Sequence, residues 1–175
     1  MKTLKQILNE VIGNEPNVYY HVTTPDKLKK IKKFGVTRRE KGEWKGMFGQ
    51  DIREKKGVFV FDNLYDAQGW AFKTCWDRKI NRCYILKLKT TDTDFEEDSH
   101  WEASSAVGKW LVKQTNFESD ELIDIIEFDI TKWTAEDTLK LNKAKEQIRN
   151  KINEIDMLDQ GFLQATPVKI KKKNT

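Results

Sequence analysis

The apolar stretches of this chain are short, carry β-branched and aromatic residues, and are separated mostly by long polar loops rather than by regular crossover helices. That spacing limits the fold more than any other feature. Parallel neighbours need a connection of a dozen or more residues, usually a helix. The pattern therefore predicts an α+β fold with a mixed or antiparallel split sheet and flanking helices, and argues against a doubly wound parallel sheet.

The elements follow from local signals. Residues 2–12 read as a short amphipathic helix with Leu4, Ile7, Leu8 and Val11 on one face, broken by Gly13 to Pro16. Asn17 to Thr23 reads as a strand, with Val18, Tyr20 and Val22 on one face and Tyr19 and His21 on the other. Thr24-Pro25-Asp26 is a helix start, with Thr24 as N-cap, and Gly35 closes that helix. Residues 36–56 read as a long basic loop. Gly57 to Phe61 is a strand, and Asp62 is placed to cap a helix over about 64–76. Residues 82–89 alternate as a half-exposed strand, 91–106 read as an acidic loop, 109–114 as a short strand, and 122–130 as the strongest strand. Thr134 to Asp137 resembles a capping box opening a helix to about residue 156. The expected organisation is a leader helix over 1–15, a domain over 16–131, a C-terminal helix packed on it over 132–160, and a basic, disordered tail over 161–175.

Composition narrows the classes. The chain has 175 residues, 34% of them charged, with six Trp and nine Phe, an aromatic content that argues against disorder in its bulk. No apolar run approaches the roughly 20 residues of a membrane span. Two cysteines and two histidines, with no CxxC pair, argue against a structural zinc site and a disulfide framework, and place the chain by default in a reducing compartment. The net charge of +4 equals the four lysines of the tail from Lys169 to Lys173. The remainder is segregated: residues 26–56 hold twelve Lys/Arg against five acids, and residues 92–129 hold twelve acids against two lysines. Such polarity fits an electropositive face that meets phosphates, and equally fits solvated faces.

Three signals occur in order: Tyr20-His21-Val22-Thr23 on the first strand; Gly57-Val58-Phe59-Val60-Phe61-Asp62, with Trp70 eleven residues past Phe59; and Glu121 opening the late strand. Over about residues 17–131 this set resembles the ADP-ribosyltransferase superfamily in its histidine–tyrosine–glutamate branch. Trp70 stands where that branch usually has Tyr. The resemblance implies an NAD cofactor bound by His21, Thr23, Phe59 and Trp70, with His21 on a ribose hydroxyl and Phe59 and Trp70 flanking the nicotinamide ring. It implies Glu121 as the catalytic residue, orienting the ribose 2′-hydroxyl and stabilising developing positive charge. Glu127, on the same face as Glu121, is the competing acid. Arg38 and Arg39 are candidates for the diphosphate. Each signal also has a plain reading: His21 as a structural histidine, Trp70 with Ala67 and Ala71 as core, Glu121 as a residue that merely precedes a strand.

Met1 to Glu10 resembles the capsid-targeting leader of internal head proteins of T-even-like phages, with Leu8-Asn9-Glu10 matching the cleavage sequence. This resemblance implies a phage-encoded effector, packaged in a head and acting in the bacterial cytoplasm after cleavage following Glu10. The expected function is transfer of ADP-ribose from NAD to a host macromolecule, with a host protein as the expected acceptor. Two alternatives stay open: a non-catalytic internal head protein or inhibitor that binds a host protein, and an RNA-directed relative of the same fold. The basic loop and tail are the segments that would meet nucleic acid.

Overall fold

The computed structural model describes residues 15–39, 56–98 and 106–164. Its described elements run in the order β1 (Val18–Thr23), α1 (Pro25–Phe34), β2 (Val58–Phe61), α2 (Leu64–Arg78), β3 (Arg82–Lys89), β4 (Phe95–Glu97), β5 (Trp110–Lys113), β6 (Leu122–Asp129) and α3 (Ala135–Gln164). The fold is α+β. The six strands form one sheet in the order β4-β5-β2-β1-β3-β6, and every neighbouring pair is antiparallel, so the mixed alternative drops out. The expected leader helix, most of the basic loop, and the tail beyond residue 164 lie outside the described residues.

One sheet face packs on α2. Val18, Tyr20, Phe61, Ile85, Trp110 and Phe128 meet Ala67, Ala71 and Cys75 there. Ala67 and Ala71 are fully buried, and their small side chains let the helix approach the strands closely. On the other face Val58, Val60, Leu86 and Leu88 join Ile31 of α1 with Val36 and Phe117. The strand β3 is therefore not half-exposed: Cys83, Ile85, Leu86 and Leu88 are all buried, because β3 lies inside the sheet with an apolar layer on both sides. The apolar run 122–129 forms β6, an edge strand with Ile123 exposed.

Helix ends follow local chemistry. Pro25 takes the first turn of α1, and Gly35 (φ 77°) ends it by donating its N–H to Ile31 O. A Cβ on Gly35 would lie 1.9 Å from Phe117 O, so the chain needs glycine for both its angle and its closeness. Thr24 occupies the N-cap position, but its side chain makes no capping bond. The N-cap of α2 is Asn63 rather than Asp62: Asn63 Oδ1 accepts from Asp66 N at 2.9 Å. At α3 the expected reciprocal box forms, with Thr134 Oγ1 accepting from Asp137 N at 3.1 Å and Asp137 Oδ2 accepting from Thr134 N at 2.9 Å. This helix runs to Gln164, past the expected end near residue 156 and into the segment expected to be a disordered tail. It is anchored where Ile148 and Ile152 meet Val107 and Tyr65 and where Lys145 Nζ lies 3.2 Å from Asp66 Oδ1. Among the described residues no helix is long and apolar enough to cross a membrane.

Candidate functional site

The strands β1 and β2 are paired at a single register position, Tyr20 with Phe61, whereas β1 pairs with β3 along its whole length. Past Tyr20, towards Thr23, the ladder between β1 and β2 opens. A side chain then takes over the hydrogen bonding of the backbone: His21 Nδ1 lies 2.8 Å from Phe59 O. A carbonyl only accepts, so Nδ1 carries the proton, and in the neutral ring Nε2 is an acceptor. His21 is 8% exposed.

The opening between the strands is a cleft. Its walls are His21, Thr23, Thr24 and Lys27 at the β1–α1 junction, Thr37 and Arg39 after α1, Gly57, Phe59 and Phe61 of β2, and Trp70, Thr74 and Arg78 of α2. Arg39 is tied to the start of β2 through paired backbone bonds with Gly57, 3.2 and 3.0 Å long. Trp70 is held edge-on to Trp110, with ring centroids 5.4 Å apart, and tilted against Phe61 at 6.2 Å. Lys73 Nζ stands 6.0 Å from the Trp70 ring.

Two features give the cleft its chemistry. The hydroxyls of Thr23 and Thr74, on the β1 and α2 walls, are buried without a hydrogen-bond partner among the described residues, a costly state that a polar guest or water relieves. The charged side chains among its described lining residues are Lys27, Arg39 and Arg78, all cations. The enclosed volume is about 50 Å³, room for roughly four waters. A flat heteroaromatic ring needs more space than this, so it fits only with the walls further apart; Phe59 on the wall is half-buried.

The structure brings together five of the sequence candidates: His21, Thr23, Phe59, Trp70 and Arg39. Arg38 lies beside them in an adjoining depression, its backbone N–H donating to Asn116 Oδ1 at 2.8 Å and its Nη1 to Gln114 O at 3.2 Å. Glu121 stands elsewhere. It borders a separate acidic depression with Asp92, Glu118 and Asp120 that shares no lining residue with the cleft. Its carboxylate accepts from Glu118 N at 2.7 Å and closes a reciprocal box over the short 3₁₀ turn Ser119–Glu121. Glu127 pairs in register with Tyr84 on the sheet edge, 3.8 Å from Arg82 Nη1, and lines neither the cleft nor its neighbour. Thr74 and Arg78 were not singled out from the sequence, although they follow Trp70 at spacings of four, on one face of α2.

Below the cleft, the turn after β2 is fixed by carboxylates. Asp62 Oδ1 accepts from Lys109 N at 2.9 Å and Asn63 Nδ2 at 2.9 Å. Burial pushes the Asp62 carboxyl up from the usual carboxylate range, against those two bonds. Asp66, buried, accepts from Val107 N, Gly108 N and Asn63 Nδ2 at 2.8 to 3.1 Å. These bonds set the start of β5 against β2.

Comparison of the chain with protein-family models, with curated proteins and with solved structures returned no match in any of the three.

Proposed function

We propose that the cleft between β1 and β2 binds a nucleotide, and that the ligand is NAD, held as the ADP-ribosyltransferase resemblance implies. In this reading His21 Nε2 accepts from a ribose hydroxyl, Phe59 and Trp70 take the nicotinamide ring, and Arg39, with Lys27 and Arg78, meets the diphosphate. The unpaired Thr23 and Thr74 hydroxyls bond the ligand's polar edges. One observation carries the reading: residues from the first two of the three sequence signals line one cleft, and every charged side chain on its described walls is a cation.

The fuller reading is transfer of ADP-ribose to a host macromolecule by a phage-encoded effector, with Glu121 as the catalytic acid. The position of Glu121 favours a second reading, in which the chain binds NAD, or a host protein, without transferring ADP-ribose. Its carboxylate caps a turn and borders a depression that shares no residue with the cleft. Titration calorimetry with NAD, together with labelled NAD and bacterial lysate, tests both. Heat of binding that falls about tenfold in affinity in Arg39→Gln supports the nucleotide site. Label on discrete lysate bands that disappears with Glu121→Gln supports transfer as assigned, and label that persists in that variant moves the acid elsewhere. Binding without label leaves the non-transferring reading. No heat and no thermal shift with NAD removes the nucleotide site.

A further inference from the structure

A second, more open depression adjoins the cleft. It shares His21, Thr23, Lys27, Thr37 and Arg39 with the cleft and adds Lys30 and Arg38. It encloses about 240 Å³, and again no carboxylate is among its described lining residues. Residues 25–39 carry seven Lys/Arg (Lys27, Lys29, Lys30, Lys32, Lys33, Arg38, Arg39) against one acid, Asp26, for a net charge of +6. Lys27 and Lys30 stand almost one turn apart on α1, a rise of about 4.5 Å. On the far side, Arg38 bonds the segment after β5 through its backbone N–H to Asn116 Oδ1 and its Nη1 to Gln114 O. A track of cations thus leads into a slot walled by two aromatic side chains.

We propose that this track docks a single-stranded nucleic acid, with successive phosphates on Arg38, Lys30 and Lys27 and one base directed towards Phe59 and Trp70. The proposal rests on the reading of the cleft as a nucleotide site and names the class of macromolecule that approaches it. An acidic peptide also matches the charge. It does not match the slot, because a nucleic acid strand is a polyanion with a flat ring on every repeat and an acidic peptide has none. Stacking contributes roughly 1–3 kcal/mol per base in such sites, a gain that the peptide lacks.

The test is fluorescence anisotropy on the full chain with three labelled probes: a single-stranded RNA dodecamer, the same RNA as a duplex, and a dodecamer of glutamate. Each is titrated over a series of salt concentrations, beside NAD titrations. Three phosphate contacts at about −0.7 each give an expected logarithmic salt slope of about −2 for the single strand. Lys30→Glu, on the exposed face of α1, is expected to lower single-strand affinity about tenfold and to take about 0.7 off the slope. It is expected to leave NAD binding unchanged, because Lys30 lines the track and not the cleft. Oligoglutamate bound as tightly as the single strand overturns the proposal in favour of an acidic protein partner. A Lys30→Glu chain that binds RNA like wild type also overturns it, assigning the binding to other lysines such as those of the tail. NAD binding without RNA binding sinks this proposal alone, and loss of both sinks the nucleotide reading with it.

Discussion

Asp66 is the polar residue on which the geometry beneath the cleft most depends, and Asp66→Asn isolates its role. Every described hydrogen-bond and ion-pair partner of the carboxylate is a donor: Val107 N at 3.1 and 3.0 Å from the two oxygens, Gly108 N at 3.0 Å, Asn63 Nδ2 at 2.8 Å and Lys145 Nζ at 3.2 Å. Asparagine has nearly the same shape but carries two N–H donors in place of one oxygen. Whichever way the amide turns, it sets a donor against a donor, and Lys145 loses its counter-charge. A hydrogen bond to a charged group contributes about 1.5–3 kcal/mol net, and an orphaned buried donor costs about 1–3 kcal/mol. Removing one partner of a fully buried ion pair costs about 3–5 kcal/mol, and Lys145 retains some solvent, so the lower end applies: about 3 kcal/mol. For a chain of this size that lowers Tm by roughly 6–12 °C. Urea denaturation at neutral pH, monitored by tryptophan fluorescence, measures the free energy directly. In the Lys145→Met background the same substitution should cost about 1–2 kcal/mol less, since the cation is already gone. A loss below about 1 kcal/mol in the wild-type background would refute the all-donor shell. An equal loss in both backgrounds would refute the Lys145 contribution.

Two further outcomes test the frame of the fold. Gly35→Ala forces a Cβ to within 1.9 Å of Phe117 O at φ 77°, so the Val36–Phe117 bridge must shift; a cost of about 3 kcal/mol in unfolding free energy, measured by urea denaturation, is expected, and a neutral result would refute the close approach. Asp137 is held below the usual carboxylate value of 3.8, first by the Thr134 hydroxyl and then by the Thr134 backbone. A lowered folded value stabilises above the unfolded one and is lost as pH falls through the folded one, so the Tm gap between wild type and Asp137→Ala should be level at neutral pH and close below 3.8. A gap that is independent of pH would refute the box.

Much of the frame was legible because it is local. The Val18/Tyr20/Val22 and Tyr19/His21 faces of β1 follow from period-two alternation, and Val18, Tyr20 and Val22 do face α2. The ends of α1 follow from Pro25 and Gly35, and the box at Thr134 from the spacing to Asp137. Sheet position was not legible. Alternation in β3 suggests one wet face, but both faces are covered because β3 sits between β1 and β6, and strand order is not written in the run itself. Likewise the apolar run of β6 marks a strand without saying that it lies at an edge. The cap of α2 slipped by one residue because Asp62 and Asn63 are both good caps; the backbone N–H of Lys109, 47 residues away, engages Asp62, while Asn63 caps the helix.

The same contrast separates the parts of the candidate site. Phe59 and Trp70 converge for reasons that operate over short distances: the turn at Asp62 and Asn63 leads directly into α2, and Trp70 falls on the helical face that carries Thr74 and Arg78 back over the strand opening, whereas His21, 38 residues before Phe59, joins them through the pairing of β1 with β2. Glu121 is 51 residues beyond Trp70, and its placement depends on where β6 joins the sheet. A competing local signal was available. Glu118-Ser119-Asp120-Glu121 has the spacing of a capping box, with a polar residue able to accept at the first position and Glu at the fourth, and the side chain is used in that way. One carboxylate oxygen of Glu121 accepts a backbone N–H at this turn, so the proposed role of Glu121 as the acid in the cleft requires the side chain to leave that bond. In the proposed reading, ligand binding and group transfer are therefore separable: the proposed site is walled by His21, Thr23, Phe59, Trp70 and Arg39, and the proposed transfer needs a carboxylate that the described walls do not include.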